Sequence, residues 1–126
     1  MDVRSIVEVE PEVEHNGTVP VWYLVHPREM KQITDGGFLE LINEFEVAAG
    51  GAVFPHDHPT HEWYFVMSGR GVMIVCDEER AVGAGGLVYI PPDVVHSLRP
   101  TGGGAIHCFC FAVGVKGAAE IDYTSH

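Results

Sequence analysis

His56, His58, His61 and Glu62 fall within seven consecutive residues of the stretch GGAVFPHDHPTHEWYFVMSG, which is otherwise largely apolar. Imidazole and carboxylate bind first-row divalent metals, and imidazole also exchanges protons near neutral pH. His56 and His58 stand at i and i+2, so on a β-strand both rings leave one face. Glu62 follows Pro59 and Thr60 at the head of the next apolar run. A turn there returns its carboxylate towards the two rings. Two imidazoles and one carboxylate on a common face suit a divalent metal, with a cluster of surface residues as the alternative.

The neighbours divide by parity. Tyr64 and Val66 share the face of Glu62 and are expected to line a cavity, whereas Trp63, Phe65 and Met67 face away. Tyr64 has two open readings, a proton donor or substrate hydrogen-bonder and a wall residue with a satisfied hydroxyl. His61 has opposite parity to Glu62, which favours a solvent-facing or packing role over a fifth ligand or acid–base group. His107 shares parity with Phe109 and Phe111 and reads as a core or interface histidine before a group backing the metal. Arg70 and Arg99 sit beside turns, where solvated arginines are ordinary, and His15, His26 and His126 carry no pattern.

The elements that must position these side chains are short strands. GFLELINEFEVAAGG alternates, with Leu39, Leu41, Phe45 and Val47 on one parity and Glu40, Glu44 and Glu46 on the other. That is a half-buried strand closed by Gly50-Gly51. EWYFVMSGRGVMIVCDEERAVGAGG reads as strand, turn, strand, acidic turn, short strand and glycine turn. LVYIPPDVVHSLRPTGGG is a strand broken by Pro91-Pro92-Asp93, then a short strand, and AIHCFCFAV is a final apolar strand. VPVWYLVHP reads as an edge or barrel-lip strand, HPREMKQITDGG as loop or helical turn, and EIDYTSH as a tail. Strands at a turn spacing of roughly 8–12 residues indicate an all-β sandwich or barrel.

With 126 residues the chain is expected to form a single domain, with 46% hydrophobic and 20% charged residues. A formal net charge of −11 opposes binding to nucleic acid or anionic lipid. The acidic run VEVEPEVEH reads as a solvated face. The start lacks the pattern of a signal peptide and no apolar run approaches the ~20 residues of a membrane span. Cys76, Cys108 and Cys110 are odd in number and form no C-x-x-C pair, so small buried thiols and a cytoplasmic setting are expected.

His96 lies behind a glycine turn, a strand and the Pro91-Pro92-Asp93 reversal, and here the chain resembles the cupin superfamily. Gly50, His56, His58, Glu62 and Gly69 meet every fixed position of that family's first motif, G-x5-H-x-H-x3-E-x6-G. Gly85, Pro91 and His96 match the second, G-x5-P-x-G-x2-H-x3-N, with Asp93 in place of the later glycine and Pro100 in place of the asparagine. Asp tolerates turn conformations, so the first departure is mild.

The resemblance implies a double-stranded β-helix (jelly-roll) barrel with a core from about residue 38 to 113 and an N-terminal arm over 1–37. It implies that His56, His58, Glu62 and His96 bind one divalent transition metal, with Fe(II) favoured and Mn, Ni, Co or Zn compatible. The expected function is that of an Fe(II)-type oxygenase on a small organic molecule, with Glu62 and Tyr64 as catalytic candidates. The alternatives are a metal-assisted isomerase or lyase on a carbohydrate-like or acidic substrate, and a non-catalytic small-molecule-binding barrel. Cupins of this size pair through their sheets, so a homodimer using Trp63, Phe65 and Met67 is expected.

Overall fold

The structure is a computed structural model and describes residues 2–115. His126 and the EIDYTSH tail lie outside the described residues. After a short 3-10 turn at Ile6–Glu8, the chain runs β1 (Glu12–Glu14), β2 (Val19–Val25), α1 (Pro27–Ile33), β3 (Leu39–Val47) and β4 (Val53–His56). It continues through β5 (Thr60–Ser68), β6 (Arg70–Val75), β7 (Glu78–Gly83), β8 (Leu87–Ile90), β9 (His96–Pro100) and β10 (Ile106–Gly114). These strands form a six-stranded sheet in the order β1-β2-β3-β10-β5-β8 and a four-stranded sheet in the order β4-β9-β6-β7. Every strand pairing is antiparallel.

Two sheets facing one another bury one parity of each strand. In β3 that parity is Leu41, Asn43, Phe45 and Val47, and in β5 it is Thr60, Glu62, Tyr64 and Val66. In β10 it is Ile106, Cys108, Cys110 and Ala112. The four-stranded sheet closes over them with Val53, Met73, His96 and Leu98. Val19 and Val21 of β2 complete the same cluster, so the segment read as an arm supplies part of the inner wall.

Several local outcomes differ from the sequence expectation. β2 is not an edge strand, because β1 pairs along its outer side in register Glu12↔Val21 to Glu14↔Val19. Part of the acidic run is thus a strand, and Glu14 is half-buried. HPREMKQITDGG resolves into a helix, capped by His26 and Glu29 with Pro27 in the first turn. Cys76 is exposed, not buried, in the tight β6–β7 turn with φ of 59°. Cys108 and Cys110 are buried on one face as expected, and all three thiols are free.

Glycine is required by contact where β5 turns into β6. Gly69, between β5 and β6, has φ of +81°, and a Cβ there would meet the Ala105 carbonyl oxygen and Ile106 Cα. Asp93 takes φ of 61°, the left-handed conformation that the glycine it replaces would adopt freely.

Candidate metal centre

The ligand candidates come from both sheets. His56 ends β4, His96 begins β9, and the two are direct partners across the pairing of those strands. His58 lies beyond the end of β4, so the expectation that one strand carries His56 and His58 is corrected: the connection to β5 delivers the second ring. That connection is pinned from the neighbouring turn, where the Asp93 amide donates to the His58 carbonyl at 2.9 Å. Glu62 enters from the opposite side, on the inner face of β5.

Each ring is held by its Nδ1. His56 Nδ1 donates to the Phe54 carbonyl at 2.6 Å and His96 Nδ1 to the Val94 carbonyl at 3.0 Å. His58 Nδ1 lies 3.1 Å from Thr60 Oγ1, whose residue is itself fully buried. Fixing Nδ1 turns Nε2 towards a common point, which is how proteins orient metal-binding imidazoles. One ligating atom from each of His56, His58 and His96 lies within 4.8 Å of the others. The Glu62 carboxylate stands beside them, 3.2 Å from His58 Nε2 and 3.7 Å from His96 Nε2.

The electrostatics favour a cation at this point. Burial lowers the pKa of His56, and burial likewise pushes that of His96 down to about 4, so both rings are neutral and able to ligate at pH 7. Burial pushes the Glu62 carboxyl up to about 8, opposed by its hydrogen bond with Tyr64. A group that is costly to ionise alone is stabilised as an anion by a divalent cation. His96 Nε2 is buried and has no hydrogen-bond partner in the protein. A lone pair held in that state, next to a buried carboxylate and two further rings, fits metal ligation better than a packed core.

Among the lining residues of the adjoining cavity are His56, His58, Glu62 and Tyr64, with Val21, Leu41, Phe45 and Val53 as apolar wall. Tyr64 therefore lies where its parity placed it, buried at 4% exposure and edge-on to Phe45 with ring centres 5.0 Å apart. The lining also holds residues that the sequence did not single out: Glu14, His15, Tyr23 and Asn43. His15 follows β1 in a turn with positive φ at His15, Asn16 and Gly17. Its Nδ1 accepts the Phe54 amide at 3.0 Å, and its ring centre lies 5.2 Å from that of His56. The Asn-Gly pair after His15 was the legible turn signal. What it could not show is that this turn folds over the cavity.

The remaining candidates lie elsewhere. His61 points out of the barrel, where its Nδ1 is 2.6 Å from Tyr89 Oη and its ring stacks near Trp63 and Tyr89. His107 Nε2 donates to Glu44 Oε1 at 2.8 Å and its ring stacks with Trp22, on the outer face of the six-stranded sheet. Arg99 is exposed and pairs with Glu79 at 3.1 Å, and Arg70 is exposed.

A two-sheet antiparallel barrel with a histidine cluster between its sheets defines the class: a small jelly-roll barrel with a site able to hold a metal ion. The family model described as "Cupin domain" matches residues 43–112, and the chain belongs to the cupin family. It is 28% identical over 104 residues to an uncharacterized protein of Methanocaldococcus jannaschii, covering 82% of this chain and 78% of that one. Among solved structures it is similar to a predicted oxalate decarboxylase from Thermotoga maritima, with a TM-score of 0.79 and 21% identity. That match covers 90% of this chain and all of the other. The polyketide cyclase RemF from Streptomyces resistomycificus matches with a TM-score of 0.72 and 20% identity, over 100% of this chain and 88% of its own. At such identities these two structures share the fold.

Proposed function

We propose that the protein is a metal-dependent enzyme acting on a small organic molecule, with Fe(II)-type oxygenation as the leading reaction. His56, His58, Glu62 and His96 are the residues we assign to one divalent metal per chain. The observation that carries this reading is the convergence of three Nδ1-anchored imidazoles on a buried carboxylate at the wall of a cavity. A full set of one carboxylate and three imidazoles favours catalysis over simple binding, because it leaves coordination positions for other molecules. When bound, Fe(II) supplies redox chemistry towards dioxygen, whereas Zn(II) or Mn(II) in the same ligands supplies Lewis acidity.

The chain's own groups have separable tasks. Tyr64 shares a hydrogen bond with Glu62, and burial next to that carboxyl raises the phenol well above its ordinary value. Its proton therefore stays on Oη and orients the carboxylate. Val21, Leu41, Phe45 and Val53 give the cavity beside the centre an apolar wall. The second reading, a metal-assisted isomerase or lyase, is favoured by Glu14. Burial pushes this cavity carboxyl up to about 7, where a group serves equally as acid and base.

Metal analysis and activity screening decide between them. The iron-loaded protein is expected to consume dioxygen with its substrate while the zinc form does not. Equal turnover by the zinc form without oxygen moves the assignment to isomerase or lyase. Protein that never exceeds trace metal after reconstitution overturns the metal reading altogether. We further assign the protein to the cytoplasm, which its free thiols support.

We also assign it to a homodimer through the outer face of the six-stranded sheet, where Phe65, Met67 and Leu87 are exposed at 40%, 48% and 59%. Light scattering of the eluting protein at micromolar concentration tests this; a monomer mass overturns the assignment.

A further inference from the structure

We propose that Asn43, Glu14 and Tyr23 form a second pole of the substrate site, one that accepts a hydroxyl group and disfavours a second carboxylate. The proposal rests on the metal centre assigned above and adds the chemistry of the substrate's other end.

The β-sheet register builds this pole. Tyr23 on β2 is the direct partner of Asn43 on β3, Asn43 of Cys110 on β10, and Cys110 of Tyr64 on β5. One straight row thus crosses the inner face from Tyr23 to Tyr64, which in turn hydrogen-bonds the metal-site carboxyl. Asn43 occupies a position where its strand otherwise buries Leu41, Phe45 and Val47. It is 6% exposed, lines the cavity, and its Oδ1 has no hydrogen-bond partner in the protein. An amide oxygen in an apolar strand face without a partner is costly to fold and calls for a donor.

The groups beside it want the same thing. Tyr23 Oη donates to Glu14 Oε1 at 3.3 Å, and both residues line the cavity with Asn43. No lysine or arginine is among the described residues that line the cavity, so a ligand carboxylate at this pole would meet the Glu14 carboxyl and no cation, with the neutral Asn43 amide as the donor beside it. A hydroxyl donor would be paired. The room open to the centres of water-sized molecules is about 50 Å³, a few waters' worth, which limits the ligand to a handful of heavy atoms. The substrate class is therefore a small molecule with a metal-binding oxygen at one end and an uncharged hydroxyl at the other.

The test uses the full chain loaded with Co(II), whose visible absorption reports ligand binding at the metal. It is titrated with 3-hydroxypropanoate against propanoate, and with 4-hydroxybutanoate against butanoate and succinate. At least one hydroxy acid is expected to bind about tenfold tighter than its deoxy partner, and 4-hydroxybutanoate tighter than succinate, since sites built for a hydroxyl reject analogues lacking it. Asn43→Leu should reduce the hydroxyl preference to less than about twofold, the loss of one hydrogen bond to a buried acceptor. Glu14→Gln, on the short outer strand β1, should weaken it independently.

Thermal melts establish that each variant is folded. Deoxy acids binding as tightly as the hydroxy acids overturns the proposal, as does succinate binding as tightly as 4-hydroxybutanoate. A preference that survives both substitutions, or no binding by any probe, does the same. Failure of cobalt to load overturns the metal centre and this pole with it, whereas loading without a hydroxyl preference overturns the pole alone.

Discussion

His58 and His61 are three residues apart, and the fold sends their rings to opposite sides of one sheet. His58 Nε2 lies 3.2 Å from a Glu62 carboxylate oxygen, while His61 Nδ1 is engaged by Tyr89 on the outer surface. Even groups that only support metal ligands cost roughly 10–100-fold in affinity when removed. His58→Ala should therefore lose at least that much, and His61→Ala should retain near wild-type occupancy; titrating both metal-free variants with Co(II) compares them directly. The reverse order would require the ligand set to be redrawn. At this scale the histidines and glutamate were legible because ligand chemistry restricts residue type. Asn43 was not: a single Asn in an alternating strand looks like any other polar residue until the sheet places it beside Tyr23 and Cys110.

Turns show how the same residue type at two motif positions has unequal importance. Gly69 and Gly85 both have positive φ, +81° and +87°. At Gly85 nothing lies within 4 Å of an added Cβ, whereas at Gly69 the Cβ would stand 2.9 Å from Ile106 Cα and closer still to the Ala105 carbonyl. Gly85→Ala should cost only the left-handed conformation, about 1–2 kcal/mol. Gly69→Ala should cost that plus displacement of β10, about 3 kcal/mol or more. Thermal unfolding should place the Gly69 variant several degrees lower, and equal melting temperatures would show that the β5–β6 junction yields. The strands were readable from alternation, and β3 and β5 fall where it put them. The β1 strand was not, since Glu-Val-Glu reads as a solvated run and becomes a strand only by pairing with β2.

Across the whole molecule the buried ionisable groups make stability depend on pH in a defined direction. Glu62 is pushed from 4.5 up to about 8 in the metal-free barrel, so the folded state holds a proton that the unfolded chain releases above about 4.5. That contribution is present at low pH and is lost as pH rises towards about 8. His96 acts the other way, because its drop from 6.5 to about 4 makes the unfolded chain bind the proton first as pH falls through that window. Above about 6.5 His96 is neutral in both states, and Glu62 and Glu14 decide the sign. Chelator-treated protein should thus melt at a lower temperature at pH 8 than at pH 6.5. Metal loading should flatten or reverse that trend, since a bound cation replaces the Glu62 proton. A metal-free melting temperature that rises over this interval would contradict the burial of the carboxyl without a cation beside it.

The sequence by itself determined the strand content, the barrel family and the residue types of the centre. These follow from local rules: alternation with period two, glycines where φ must be positive, and ligands whose spacing recurs. Tertiary structure alone decided which atoms meet. His58 reaches the centre from a connection instead of a strand, held by the Asp93 amide, and no parity argument contains that contact. Glu14, His15, Tyr23 and Asn43 line one cavity from β1, the turn after it, β2 and β3. Their convergence depends on register between strands distant in sequence, and register is set by pairing energies summed over whole sheets, which no single segment carries.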